Sequence, residues 1–391
     1  RLRLPNQEAR SLRGIGNTLW KTNELTEAEQ YQERALIIFR ELGDQRGEAM
    51  CTMSMGVVLN GQQKREPARQ YMMRAVHLSQ QIGDPMTEML SLNNLGIIET
   101  EIGNHTQGAE NFARSLALAR RIEHSYGIIV ALGNLSSTQH QMGLYSAALA
   151  SAEEWLQYCQ DMNDLRGVAW ACNGSANLLL QLGRFDQAAA LLRQAQSFFT
   201  QHNDTNGLVE INYTEMKLAW YAENLPQERQ KAQELISNVY PSSNAEILPN
   251  THWMIGNLHC CEGNFQAALL AYAEAEKLSD SDALGLPRHK AGQILALARL
   301  GNTTAALQAL ETALPRCQRF DYQLPVQWIV SACADALHLL GDPRAASTLA
   351  LAQQHLQEQA KNLDSLLQNT FLQAIPLHRR LMEGQFPLTR E

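Results

Sequence analysis

No catalytic signature is present among the 391 residues of this sequence. A G-x-x-x-x-G-K-[ST] loop, a G-x-G-x-x-G turn, an H-E-x-x-H helix and a G-x-S-x-G elbow are all missing, which excludes the common nucleotide, zinc-protease and hydrolase machineries. His252, His259, Cys260 and Cys261 form the densest group of potential ligands, but their spacing matches no usual zinc site, so neither a metal nor a cofactor is expected. No apolar run approaches the roughly 18 residues of a membrane-spanning helix. The opening Arg1-Leu2-Arg3-Leu4-Pro5 also lacks the apolar stretch of a signal peptide. A cytoplasmic chain that avoids membranes is therefore expected. Positive charge is in short supply, with 32 Lys and Arg against 40 Asp and Glu, which argues against direct nucleic-acid binding. The seven cysteines include no C-x-x-C pair and read as buried thiols of a reducing compartment. No initiator methionine opens the chain, and the expectation is a segment cut from a larger regulatory protein.

What is present is a period. Gly16, Gly56, Gly96, Ser136, Ala176 and Gly256 lie forty residues apart or a multiple of forty, with a weak copy at Met216. Twelve residues after each come Ala28, Ala68, Gly108, Ala148, Ala188 and Ala268, with the pattern lapsing at Glu228. A third series follows seven residues later as Ala35, Ala75, Ser115, Ala195 and Ala275, failing at Trp155 and Leu235. Few Val-Ile-Thr alternations occur, and small residues at helical crossings let helix axes approach to roughly 8–10 Å. Gly43-Asp44, Gly83-Asp84, Asn163-Asp164 and Asn203-Asp204 supply a left-handed residue and then a helix cap between pairs. Gly103, Gly143, Gly183 and Gly263 mark a tighter turn inside each pair.

The expected fold is all-α: a right-handed α-solenoid, or superhelix, of about nine antiparallel helix pairs. The units fall near 8–47, 48–87, 88–127, 128–167, 168–207, 208–247, 248–285, 286–325 and 326–360. A capping helix over 361–383, broken near Pro376, and a disordered tail at 384–391 would complete it. The sixth unit is irregular, with Pro226, Pro241 and the Ser242-Ser243-Asn244 loop.

These residues, with Leu95-Gly96, Gly103 and Phe112 in 91–117 as a close example, resemble the tetratricopeptide repeat family in a forty-residue form. The Gly-Asp turns and the Pro-interrupted last helix are also similar to the C-terminal sensor arms of bacterial signal-transducing ATPases and transcription regulators. That second resemblance implies an array that receives a partner or inducer and controls an upstream effector domain.

In such an array the first helices line the concave face, so residues of equal phase form stripes. Asn17, Asn177 and Asn257 share one stripe, while Asn93, Asn173, Tyr213 and Trp253 share the next. Asn94 and Asn134 form a shorter pair, and Trp20 and Trp220 share a further phase. Amide side chains both donate and accept, so a ladder of them suits the backbone of an extended peptide, with aromatics as anchors. The leading expectation is a non-catalytic regulatory scaffold that binds a peptide or protein partner in this groove. One alternative is a small-molecule inducer sensor built around Tyr213, Trp220 and Trp253. Another is the sensor part of a larger nucleotide hydrolase or protease, and a third is oligomerisation through the Leu-rich stretch 349–367.

Overall fold

A computed structural model describes residues 5–238, 247–279, 288–317 and 326–388. Regular structure among the described residues is entirely helical. The chain divides into two units, residues 1–142 and 143–391.

The first unit contains α1 (Pro5–Lys21), α2 (Leu25–Glu41), α3 (Gln45–Gly61), α4 (Arg65–Ile82), α5 (Pro85–Glu101), α6 (His105–Arg121) and α7 (Ser125–Gln141). A helix thus starts every twenty residues, so the forty-residue period is two equal helix-and-turn halves. Each turn holds one left-handed residue, at Asn23, Gly43, Gln63, Gly83, Gly103 and Glu123. The amide three positions past the helix end then reaches back to an orphan carbonyl, as Glu24 N does to Leu19 O at 2.8 Å and Asp44 N to Phe39 O at 3.0 Å. The turns within and between pairs, which the sequence suggests are different, share one backbone geometry. Their caps distinguish them. Between pairs, Asp44 accepts from Gly47 N at 2.9 Å and Asp84 from Met86 N and Thr87 N. Within pairs, Glu24, Lys64 and Asn104 make no side-chain cap bond.

The small residues work differently from a bare backbone crossing. A Cβ on Gly96 would lie 2.7 Å from the Phe112 ring, one on Gly56 3.0 Å from Met72, and one on Gly16 2.7 Å from Gln32. Each glycine is therefore the floor of a socket for the side chain sixteen residues later, and all three occupants are buried. In the second unit Tyr272 fills the socket of Gly256, with Gly292 on its other side, at 2.3 and 2.4 Å from the would-be Cβ atoms. Where the floor grows, the occupant at the same register shrinks: Ser136 goes with Ala152, and Met216 with Ala232, all buried. Met216, the weak copy of the repeat, conserves the volume of the pair. Trp155 is likewise accommodated by Gly174, whose Cβ position lies 3.0 Å from the indole.

The second unit opens with the same spacing: α8 (Tyr145–Asp161), α9 (Leu165–Gln181), α10 (Phe185–Gln201), α11 (Thr205–Tyr221) and α12 (Leu225–Asn238). Beyond it come α13 (Ile247–Cys261), α14 (Phe265–Leu278), α15 (Arg288–Arg299), α16 (Thr303–Cys317), α17 (Val326–Leu339) and α18 (Ala345–Ala360), whose starts are unevenly spaced. The Ser242-Ser243-Asn244 stretch lies outside the described residues.

After α18 the chain forms α19 (Ser365–Gln373) and α20 (Pro376–Met382), with the break at Pro376 that its locked φ favours at a helix start. These helices reach well beyond the end of the array. Phe371 packs on Tyr145 with ring centroids 6.1 Å apart, the backbone at Thr370 lies against Gly183, and Arg380 grips Glu223 through two bonds of 2.5 and 3.2 Å. The segment thus crosses the tips of the turns within pairs. Its continuation corrects the expectation of a disordered tail at 384–391: Phe386 stacks on His338 at 4.0 Å, and Leu388 N donates to Asp335 Oδ1 at 3.2 Å. Apolar side chains at 386 and 388 explain this, since burying them offsets the cost of ordering the chain. Residues 389–391 lie outside the described residues. Of the Leu-rich stretch, Leu349, Leu356, Leu363 and Leu367 are buried in the second unit's own core, while Leu366 is exposed. Of the cysteines, Cys261 is exposed and Cys260 half-buried, against the expectation of uniformly buried thiols.

Candidate functional site

In the first unit the exposed sides of α3 and α5 carry half-buried side chains at matching phases, Met53 and Val57, then Asn93 and Ile97, and half-buried Asn134 of α7 lies one residue past that phase. The helical repeat puts i and i+4 on one face, and the forty-residue period aligns that face between helices. Asn134 Nδ2 donates to Asn93 Oδ1 at 3.1 Å, which joins two predicted stripes between α5 and α7. Asn94 Nδ2 instead donates to its own helix, to Leu90 O at 2.9 Å. Asn17 Oδ1 accepts from Gln32 Nε2 at 2.8 Å, and that glutamine is the occupant of the Gly16 socket. Trp20 is exposed at the end of α1.

The second unit treats its predicted residues otherwise. Asn173 is buried with its Oδ1 unpaired, and Asn177 donates to Thr214 Oγ1 at 2.9 Å and accepts from Lys217. Tyr213 lies half-buried beneath the Lys217 ammonium, 5.3 Å from its ring centroid. Trp220, Trp253 and Trp328 form an edge-to-face chain with centroids 5.3 and 5.0 Å apart. Trp253 is 3% exposed, so it is the middle of this stack and no groove-facing anchor. The sequence singles out Trp220 and Trp253, while Trp328 joins them only through folding.

Beside the stack lies a cavity of about 230 Å³. Trp220, Trp328, Leu258 and Leu295 give it apolar walls, Glu228, Asn257, Arg299 and Arg380 supply polar groups, and Ile375, Leu377 and Leu388 of the C-terminal segment close one side. Glu228 is the lapse in the second small-residue series. It occupies a buried alanine's register, is 2% exposed, and keeps one carboxyl oxygen without a partner. Burial pushes its carboxyl up to about 8, so it is neutral at pH 7. Asn257 accepts from the Tyr272 hydroxyl at 2.7 Å, leaving its Nδ2 unpaired. Arg380 spends two nitrogens on Glu223, and its Nε has no partner. Arg299 donates to Leu388 O at 3.3 Å. Cys260 and Cys261 also border the cavity, but no group of three or more His, Cys, Asp or Glu among the described residues could hold a metal ion.

No helix among the described residues is long and apolar enough to cross a membrane. The family model described as tetratricopeptide repeat matches residues 7–81 and 87–161. None of the curated protein sequences matches the chain. Among solved structures, a tetratricopeptide repeat protein from Parabacteroides merdae ATCC 43184 aligns at TM-score 0.55 and 15% identity, over 74% of this chain and 99% of that one. Aspartyl phosphate phosphatase F from Bacillus subtilis aligns at TM-score 0.58 and 13% identity, over 69% and 70% of the two chains. A signal transduction ATPase with numerous domains from Pyrococcus horikoshii, which has a tetratricopeptide repeat sensor, aligns at only 0.48 and 14% identity. That match takes in 70% of this chain and 39% of that one. At these identities the first two similarities establish the fold alone, and the third carries no argument.

Proposed function

Starting from residues 7–81 and 87–161 as tetratricopeptide repeats, we propose that the chain is a non-catalytic binding scaffold whose first unit holds a peptide or protein partner along α3, α5 and α7. Its division into nine helix-pair units belongs to the same reading. The observation that carries it is the aligned row of half-buried Met53, Val57, Asn93, Ile97 and Asn134. Apolar side chains there offer area, and the amides offer hydrogen bonds to a backbone without demanding one sequence. A cytoplasmic setting suits a chain whose described cysteines form no disulfide. The regulatory part of the reading is that occupancy of this face alters the stacking of neighbouring pairs and so the state of an effector, because each repeat touches only its neighbours.

The test is capture from an extract of the source cells on immobilised protein, comparing the natural chain with Val57→Asp/Ile97→Asp. A polypeptide partner should be retained by the first and lost by the second at unchanged helicity. Retention of the same partner by both would refute this surface. Asn93→Ala/Asn134→Ala, which adds no charge, should weaken retention less and guards against misfolding of the first pair.

A further inference from the structure

The cavity of the second unit is built for a ligand unlike the partner of the first. We propose that it binds a small organic monocarboxylate with an aromatic or other apolar body, the carboxylate held by Arg299 and the body set against Trp220 and Trp328. This inference does not rest on the partner surface described above.

Charge is the first argument. Among the described residues four charged side chains line the cavity, and Glu223 and Arg380 neutralise each other through paired bonds. Glu228 is buried among apolar groups and neutral at pH 7. Arg299 is then the remaining cation, with no ion pair among the described residues. A single unbalanced positive charge, half-buried in a partly open cavity, favours a single negative one.

Hydrogen-bond inventory is the second. Asn257 has used its oxygen on Tyr272 and keeps a buried Nδ2, and Arg380 keeps a buried Nε. Both unpaired groups can only donate, and a neutral Glu228 can donate too. Leaving such groups unmatched costs free energy that a ligand rich in acceptors recovers. A carboxylate, with about four acceptor sites, is the compact group that meets this surplus. An amine would instead need an ionised Glu228 and would sit beside Arg299.

Size and wall chemistry are the third. The volume is that of about eight waters, too small for a folded element and suited to a ring with a short acidic arm. Trp220 and Trp328 offer aromatic surface against which such a ring packs. Because Ile375, Leu377 and Leu388 close one side, a bound ligand also pins the C-terminal segment.

Titration calorimetry with three isosteric probes, indole-3-acetate, indole-3-acetamide and tryptamine, tests the proposal on the full chain. The acetate should bind at least tenfold tighter than the amide, and the amine most weakly. Hydrogen exchange should slow in α12, α13 and residues 375–388 only with the acetate. Arg299→Gln should remove the preference for acetate over amide, and Arg299→Lys should restore part of it. Tighter binding of tryptamine, equal binding of acetate and amide, or no heat with any probe would overturn the proposal. Should Arg299→Gln fail to fold, the order of the three probes on the natural chain still decides. Loss of the partner surface in the first unit would leave all these readings unchanged.

Discussion

In the first unit every turn falls twenty residues after the last, and the clefts described along it are open ones; in the second the spacing breaks after α12, and a less open cavity lies beside the break. Both units use the same socket packing, so the difference is not one of core chemistry. A strict period places equal volumes in register and leaves a continuous, shallow surface suited to an extended partner. Glu228 takes an alanine's place just where the spacing changes, and Tyr272, Trp328 and the C-terminal segment close the space around it. Regularity makes a surface here, and its interruption makes a cavity.

Tyr272 should show the largest effect. Its ring is buried between Gly256 and Gly292, and its hydroxyl holds Asn257. Tyr272→Ala opens a cavity and should destabilise the second unit by about 4 kcal/mol, seen as a lowered urea midpoint for exchange-protected amides in α13 and α15. Protection in the first unit should stay as it was. A uniform loss across both units would mean that they do not unfold separately.

Glu228→Gln tests whether the lapse in the repeat carries a cost in stability. The folded state raises this carboxyl from about 4.5 to about 8. An acid so raised favours its neutral form when folded, so its penalty appears as pH rises through 4.5 and grows until pH 8. At pH 7 that amounts to about 3 kcal/mol, and glutamine, neutral throughout, should recover it. Denaturation at pH 4.5 and pH 7 should show equal stability of variant and natural chain at the lower value and a more stable variant at the higher. Parallel behaviour at both would mean that the carboxyl is solvated.

Much of this architecture is legible in the sequence, because glycine and alanine at forty-residue steps can be counted without coordinates. The socket pairing is legible in retrospect too, since Gly96 with Phe112 and Met216 with Ala232 differ by sixteen residues in each case. The placement of the aromatic cluster near Trp220 and Trp253 follows from phase, whereas the contact of Asn134 with Asn93 does not, since phase pairs Asn134 with Asn94. What phase cannot reveal is Trp328 and Arg299, which reach the cavity across broken spacing. Nor can it reveal Arg380 and Leu388, which arrive on a segment that leaves the repeat. Asn173 and Trp253 carry the right phase yet are buried, Trp253 between the rings of Trp220 and Trp328. Glu228 stands in the sequence as a missed alanine, and only its burial without a partner turns that lapse into a site.

Gly96→Leu probes the regular side of the comparison. The Phe112 ring already occupies the space, 2.7 Å from a Cβ at residue 96, so overpacking should cost about 2 to 3 kcal/mol in the first unit. Combining it with Phe112→Ala should restore part of the loss, as Ala232 does opposite Met216. A double variant no better than the sum of the single ones would show that the two positions do not share one volume.

The caps should give the smallest effect and a sharp control, because they, like the sockets, are a feature that the two units hold in common. Asp44 accepts from Gly47 N at 2.9 Å and from Asn6 Nδ2 at 2.7 Å, and Asp204 accepts from Gly207 N at 3.0 Å and from Arg166 at 3.2 Å. Replacing either by alanine should cost about 1 kcal/mol, whereas Lys64→Ala, at a turn without a side-chain cap, should cost little. The Gly47 amide holds the Asp44 carboxyl below its ordinary range, so its contribution is present above about pH 4 and fades as pH falls through the lowered value. Natural chain and Asp44→Ala should therefore converge on acidification. If Asp204→Ala cost several times more than Asp44→Ala, the second unit would depend on its turns more than the first, and its cavity could no longer be ascribed to spacing alone.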